Sequence, residues 1–307
     1  MNQKTIEYKS SVILWIFGVF FFIYQYGIRS VILNVLNGDL QRYFSIGATE
    51  MGQLVSLFFF AYMIAQIPVG ILIDRFNLKS TLTVAFLCAA IGIIAFVSVD
   101  NYFVASLSQL FLGFGCSFSL VLLLKISDNF FPPQKSALAS SIGVSFGSLG
   151  PVFLSPLLAA LSKIYHWRNI VLGFGVLGII SAIVGYWTVY EKKLNPASVA
   201  KTYEKDSRQT KNYYGVLDSL KIIFSNVQFI WIGLFSMAIF GPASSFCDVW
   251  GISFVKQIYG IDAVKAASIV SLTYLGTILG IPLATFLSEK LQSYKKVMVY
   301  GSSITFI

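Results

Sequence analysis

Long runs of apolar residues divide this chain, and short polar segments separate them. Each run has about the 20 residues that a helix needs to cross a hydrocarbon core of about 30 Å, where a helix satisfies its own backbone hydrogen bonds. The pattern therefore predicts an all-α integral membrane protein with eight spans and the start of a ninth. The predicted spans are residues 11–35, 50–73, 79–98, 102–126, 137–160, 167–190, 227–255 and 263–288, and the ninth begins at about 296.

A secretory signal peptide is the alternative for the first run, but the length of the run argues against it. A signal has a short apolar region and then a cleavage site of small residues, whereas the apolar character continues here from Ser11 past Val35. The one polar, charge-rich stretch follows the sixth span and predicts a cytoplasmic linker. We therefore expect a six-helix bundle at 1–190, a linker at 191–221 and a partial second bundle at 222–307.

Composition and charge agree with a membrane protein. Of 307 residues, 56% are hydrophobic and 11% are charged, whereas about a quarter are charged in soluble proteins. The net charge of +9 is also found in nucleic-acid-binding proteins, but the predicted cytoplasmic side holds about three times as many Lys and Arg as the opposite side. This distribution predicts a multi-pass inner-membrane protein with a cytoplasmic N-terminus and no nucleic-acid partner.

Residues that bind metals or catalyse reactions are sparse. Cys88, Cys116 and Cys247 all lie in predicted spans without paired spacing, and His166 has no second imidazole or cysteine nearby. A membrane enzyme normally has a catalytic cluster at the membrane surface, such as paired carboxylates or histidines, and no such spacing occurs in the sequence. We therefore expect no metal, no cofactor and no enzymatic activity.

The two parts of the chain show a weak internal similarity. A shift of 215 residues aligns Gly18 with Gly233, and the same shift aligns Asp74 and Arg75 with Glu289 and Lys290. One offset thus relates both the first and the second span of each part. This predicts a duplicated helical unit, which is common among transporters.

The loop after the second span has a motif, Gly70-Ile-Leu-Ile-Asp-Arg-Phe-Asn-Leu-Lys79. It resembles the loop between helices two and three of the major facilitator superfamily, where Asn77 replaces a turn glycine, and asparagine tolerates left-handed geometry. A small residue at 70 would let two helices approach closely, and a carboxylate at a helix end can bind a neighbouring helix terminus. The gating residues implied by the resemblance are Gly70, Asp74, Arg75, Lys79, Glu289 and Lys290.

Other segments extend the resemblance. Gln109, Gly113 and Gly115 are similar to a helix-four motif of the family, without its arginine, so the proton-handling role of that arginine is not expected here. The glycines in 143–151 resemble its helix five, and Trp250 with the following Gly resembles a bacterial branch that includes nutrient importers. The family has twelve spans, which implies that this chain is truncated in helix nine, as a fragment or as a natural product.

Ionisable residues within spans are costly, so each is a candidate for function. Arg29 shares a helix face with Gln25 and Tyr26, and its alternative role is to extend its side chain to the membrane interface. The repeat would place Asp248 opposite Arg29 across a cavity, so we expect these two residues to form a pair. The predicted substrate-binding residues are Gln25, Tyr26, Arg29, Tyr62, Gln66, Lys125, Phe240, Asp248 and Trp250.

These residues predict a monomeric secondary active transporter that works by alternating access. The carboxylate of an amino acid, short peptide or organic acid would bind Arg29, with Lys125 as a further cation, and aromatic rings would surround its apolar part. Asp248 is the expected titrating residue, because a buried carboxylate beside a guanidinium responds to a bound anion, and a proton or sodium ion would be the symported partner. The alternatives are a sugar, drug or osmolyte transporter of the same family, or a truncated membrane protein that does not transport.

Overall fold

The structure, a computed structural model, describes residues 3–188 and 216–305. Regular structure in these two ranges is helical, in agreement with the predicted all-α class. The chain divides into two compact units, Met1–Tyr190 with Cys247–Ile307, and Glu191–Phe246. Most of the predicted linker at 191–221 lies outside the described residues, so the three-part division of the sequence stays a prediction.

Within residues 3–188 and within residues 216–305, the helices follow one another with short connections. The second unit contains Val216–Ser225 and Val227–Ser245, which are α10 and α11. In chain order the helices are α1 (Gln3–Tyr26), a first π-helix (Gly27–Ile32), α2 (Leu33–Val35), α3 (Asn37–Phe44), α4 (Ala48–Arg75), α5 (Leu78–Val97), α6 (Tyr102–Phe130), α7 (Pro133–Gly147), α8 (Leu149–Leu161), α9 (Trp167–Thr188), α10 (Val216–Ser225), α11 (Val227–Ser245), a second π-helix (Phe246–Trp250), α12 (Gly251–Tyr259), α13 (Ala263–Lys290) and α14 (Tyr294–Thr305).

The eight predicted spans are confirmed. Eight helical segments in the described ranges are long and apolar enough to cross a membrane, and each overlaps one predicted run. The segments are Val12–Val35, Ala48–Arg75, Leu78–Val97, Tyr102–Phe130, Lys135–Leu161, Trp167–Thr188, Val227–Tyr259 and Ala263–Lys290. We call the end of the first unit that lies opposite the start of α1 the far side.

The core of the first unit lies between α1, α4, α5 and α6. Phe21, Phe58 and Phe86 are fully buried there, and the Phe21 and Phe86 ring centroids lie 4.5 Å apart. Aromatic pairs at this distance stabilise a fold beyond their buried area. These helices therefore form a close-packed scaffold for the side chains that project from α1.

Asn77 has a different role from the one predicted for it. Its φ of −71° lies outside the left-handed region, and its side-chain oxygen accepts a hydrogen bond from the Ser80 backbone N–H at 2.7 Å. This is an N-cap, which satisfies a backbone donor that the first turn of a helix leaves free. The prediction of a left-handed turn was wrong because α5 begins at the next residue, Leu78.

Close approach between helices occurs at α6 and not at Gly70. A Cβ on Gly113 would overlap the backbone oxygen of Phe58, and a Cβ on Gly115 would lie 2.7 Å from the Ala89 backbone nitrogen, whereas a Cβ on Gly70 would meet no atom within 4 Å. Gly113 and Gly115 therefore let α6 approach the backbones of α4 and α5 closely. The close approach predicted at Gly70 is wrong, because the face of α4 that packs on α6 carries Phe58 instead.

Two alanine substitutions should distinguish the closely packed Gly113 from Gly70, where a Cβ would meet no atom within 4 Å. We expect Gly113→Ala to lower the free energy of unfolding by about 1–3 kcal/mol, because the new methyl pushes α6 from the α4 backbone. Gly70→Ala should leave it unchanged or raise it by up to about 1 kcal/mol, because alanine is the better helix former. Denaturant unfolding in detergent measures both, and equal losses would contradict this packing.

The predicted duplication is visible in the helix boundaries. Helices α4 and α13 each have 28 residues and begin and end 215 residues apart. The residue that ends the preceding helix is left-handed in both cases, Ser45 with φ of 51° and Gly260 with φ of 61°, and these two residues are also 215 apart. The single offset found in the sequence therefore relates corresponding helix ends and turns.

Candidate functional site

A π-helix interrupts each of the two spans that carry a buried charge. The first π-helix contains Arg29, and the second contains Asp248. A π-helix adds a residue to a helical turn and is frequent at functional sites, because it redirects side chains and disturbs the regular backbone ladder. The sequence patterns did not predict either π-helix.

Arg29 and Asp248 form a buried ion pair. Arg29 Nη2 lies 3.3 Å from Asp248 Oδ2, and the two side chains are 7% and 2% exposed. The Tyr274 hydroxyl donates a hydrogen bond to the other carboxylate oxygen, Asp248 Oδ1. The predicted contact between Arg29 and Asp248 is therefore confirmed, and the alternative of an arginine that extends to the membrane interface is wrong.

Aromatic rings surround the guanidinium. Its central carbon lies 4.2 Å from the Tyr26 ring centroid and 5.6 Å from that of Phe59. The Tyr274 ring in turn lies edge-on to the Tyr26 ring, with centroids 6.4 Å apart. Aromatic faces attract cations most strongly away from water, so this enclosure holds the guanidinium without neutralising it.

Several buried polar atoms near Arg29 in sequence lack a hydrogen-bond partner. Among the described residues these include Arg29 Nε, both amide atoms of Gln25 and the hydroxyl of Ser30. Gln25 precedes Arg29 by one helical turn, so both side chains project from neighbouring turns of the first span. Because a buried polar group without a partner is costly, these atoms are suited to a polar ligand.

The remaining aromatic predictions have different surroundings. The Tyr62 ring stacks on Phe58 with centroids 6.1 Å apart, and Gln66 follows one turn later on α4. Trp250 lies near Gly52, in the far-side part of α4. Phe240 lies in the second unit and is exposed, so its role in binding stays a prediction.

Lys125 lies beside the motif at 70–79 and not beside Arg29. Its Nζ is 2.6 Å from Asp74 Oδ1, and both side chains are partly exposed. At 1.5 Å per residue, Asp74 is about 22 Å along α4 from Phe59, which contacts Arg29. The structure thus contradicts the expectation that Lys125 and Arg29 contact one small solute. Asp74 does bind a neighbouring helix, as expected, and the Lys79 ammonium lies 4.5 Å from the Tyr186 ring.

On the far side, Asn34 of α2 and Asn37 of α3 bond to backbone groups of the second π-helix and of α12. Asn34 Nδ2 donates to the Cys247 carbonyl at 2.6 Å, and Asn34 Oδ1 accepts from the Ile252 N–H at 3.2 Å. Asn37 Nδ2 donates to the Val249 carbonyl at 3.4 Å. A side-chain amide satisfies here the backbone groups that a π-helix leaves without regular partners. We call these contacts the asparagine junction. Sequence analysis missed it.

A second far-side contact joins the connection after α8 to Asp262, the N-cap residue of α13. Lys163 Nζ lies 2.9 Å from Asp262 Oδ1. Hydrogen bonds from Lys163 and from the Val264 backbone N–H lower the pKa of the Asp262 carboxyl below its ordinary value of 3.8. Since the folded pKa is the lower one, this contact contributes at neutral pH and is lost only as the pH falls through that lowered value.

Comparison with known proteins agrees with the helical arrangement. A model of the Major Facilitator Superfamily matches residues 14–307. The chain is also similar to the solved structure of a bacterial homolog to the human lysosomal transporter Spinster, in an inward-facing and unoccupied conformation. The TM-score is 0.64 at 18% sequence identity, and the alignment covers 92% of this chain and 63% of that one. This likeness shows the shared fold.

The relatives are named as transporters, in agreement with the prediction that the chain is not an enzyme. The uncharacterized transporter YybO and the probable galactarate/D-glucarate transporter GudP, both of Bacillus subtilis (strain 168), are 24% identical over 90% of this chain and 66% and 64% of their own lengths. The D-galactonate transporter of Escherichia coli O6:H1 is 23% identical over 84% of this chain and 63% of its length. The chain therefore spans just under two thirds of these relatives. It belongs to the major facilitator superfamily.

Proposed function

We propose that this chain is part of a secondary active transporter for a sugar acid, and that Arg29 binds the carboxylate of the solute. The observation that carries the proposal is the buried Arg29–Asp248 pair, whose guanidinium retains a buried Nε without a hydrogen-bond partner. Arginine is the residue best suited to bind a carboxylate, because its planar fork offers parallel donors.

The names of the relatives support the choice of solute class. They refer to galactarate, D-glucarate and D-galactonate, which combine carboxylates with several hydroxyls. Both amide atoms of Gln25 lack partners, and an amide can donate to one hydroxyl and accept from another. A sugar acid uses these groups better than the amino acids and short peptides that the sequence also favoured, whose ammonium group would meet Arg29.

Exchange of ionic partners supplies a mechanism. A solute carboxylate that reaches Arg29 competes with Asp248 for the guanidinium, and Asp248 then needs a proton or another cation to remain buried. Solute and proton would thereby bind together, and the two six-helix halves would rock about them. Proton symport across the bacterial inner membrane is the corresponding proposal, with the N-terminus in the cytoplasm.

A thermal-shift screen of the purified protein tests the solute class. We expect D-glucarate, D-galactonate and a hexuronate to raise Tm, because a ligand at about 100 times its Kd stabilises the folded state by about 2.7 kcal/mol. Amino acids and dipeptides should have little effect.

The matched control is the neutral sugar alcohol of the same length, which keeps the hydroxyls and removes the charge. We expect no shift with it. Equal shifts with the alcohol and the acid would contradict carboxylate binding at Arg29. A shift with amino acids alone would contradict the solute class and leave the cationic site intact.

A further inference from the structure

An apolar groove lies on the first unit, away from Arg29. Helices α1, α8 and α9 form its walls, and its volume is about 810 Å³. Its lining includes the exposed side chains of Phe153, Leu157 and Leu177. All three walls belong to membrane spans, so the groove opens toward lipid acyl chains.

The length of the groove corresponds to one leaflet of a bilayer. It extends from Tyr165, in the far-side connection, to Leu177 on α9. From the start of α9 at Trp167 this is about 15 Å at 1.5 Å per residue, which is half of a hydrocarbon core of about 30 Å. Gly173 leaves the middle of the groove open, because a Cβ there would meet no atom within 4 Å.

A polar recess adjoins the far-side end of the groove. Its volume is about 350 Å³, and Tyr165 lines both cavities. Arg42 and Asp39 line the recess as an exposed ion pair 2.6 Å apart, with 81% of the Arg42 side chain accessible. The recess therefore presents one guanidinium and one carboxylate at the level where lipid headgroups lie.

We propose that the groove and the recess together bind one phospholipid whose headgroup has both a phosphate and a primary ammonium, as in phosphatidylethanolamine. The acyl chain would lie along Gly173, the phosphate would accept hydrogen bonds from Arg42, and the ammonium would pair with Asp39. Charge complementarity selects this headgroup, because a phosphatidylglycerol phosphate would bind Arg42 but leave Asp39 facing an anion. This site does not depend on the proposed solute.

Native mass spectrometry of the full chain tests this site. The chain is released from nanodiscs that contain equal amounts of phosphatidylethanolamine and phosphatidylglycerol, and the retained lipids are counted. We expect about one retained phosphatidylethanolamine per chain and at least about tenfold less with Gly173→Phe, because the ring occupies the apolar contacts of the acyl chain. Val176→Phe is the matched control, since Val176 is exposed on the same span but does not line the groove.

Substitutions of the two residues that would bind the headgroup, Asp39 and Arg42, test the site without disturbing the fold, because both side chains lie at the surface. Asp39→Asn should reduce retention of phosphatidylethanolamine but not of phosphatidylglycerol, whereas Arg42→Gln should reduce both. Equal losses with Gly173→Phe and Val176→Phe, or equal retention of the two lipids by the wild type, would overturn the proposal. Dimers that Gly173→Phe dissociates would overturn it too, because a second copy of the chain would then occupy the groove.

Discussion

Arg29→Gln should abolish binding of an acidic solute and lower the free energy of unfolding by about 3–5 kcal/mol, which is the usual cost of removing one member of a buried ion pair. The carboxylate of Asp248 would remain in a site where its side chain is 2% exposed. Tyr274 would still donate its hydrogen bond, but one hydroxyl does not replace a guanidinium. Denaturant unfolding and ligand-induced thermal shifts measure the two effects.

The variants of Asp248 supply the controls. Asp248→Asn leaves the guanidinium without its anion, so we expect a less stable protein in which an acidic solute gives a larger stabilisation than in the wild type. The double variant Arg29→Gln with Asp248→Asn should recover much of the lost stability, because no buried charge remains, but it should not bind the acid. Solute binding by Arg29→Gln at wild-type affinity would place the carboxylate site elsewhere.

The membrane spans and the repeat were predictable because each depends on many residues at once. Twenty apolar residues in a row have few structural alternatives. The 215-residue offset depended on two short matches in sequence, yet it relates the ends of α4 and α13 and the left-handed residues Ser45 and Gly260. Periodic and repeated features therefore survive in the sequence even where most side chains differ.

The contact between Arg29 and Asp248 was predictable from the energetic cost of placing a charge within a membrane span. A charge within a span needs a partner, and the repeat limits which helix can supply it. Lys125 shows the limit of this argument. Its partner Asp74 stands in a helix-end motif, and the spacing in sequence does not tell whether a lysine near a helix end contacts the cavity or another helix terminus.

Features that depend on one residue of register were not predictable. A π-helix differs from an α-helix by a single inserted residue per turn, and hydrophobic periodicity over a whole span does not resolve it. In the asparagine junction, Asn34 and Asn37 bond to carbonyl groups of the second π-helix, so the partners depend on its local register. The prediction of close packing at Gly70 was wrong for a related reason. A glycine in a helix permits a neighbouring helix to approach closely, but it does not indicate whether a helix is adjacent at that position.

Asn34→Leu tests the asparagine junction. It should lower the free energy of unfolding by about 2–6 kcal/mol, because it leaves two backbone groups without partners at about 1–3 kcal/mol each. These groups are the Cys247 carbonyl and the Ile252 N–H, and Asn34 itself is 3% exposed.

Asn37→Leu is the matched control. It leaves one backbone group of the second π-helix, the Val249 carbonyl, without its longer hydrogen bond, and it also removes the bond that the Gln41 side chain donates to Asn37 on α3. Because only one π-helix backbone group loses its partner, this variant should cost less.

Thiol labelling separates a role at the junction from a general loss of stability. Cys247 is half-buried within the second π-helix, and its carbonyl accepts the Asn34 hydrogen bond. In a background with Cys88→Ala and Cys116→Ala, Asn34→Leu should increase the rate at which a maleimide labels Cys247 under native conditions, and Asn37→Leu should change it less. If both variants lose the same stability and label Cys247 at the wild-type rate, Asn34 does not hold the π-helix. If labelling increases with Asn34→Leu alone, the Asn34 amide fixes the backbone that positions Asp248 against Arg29.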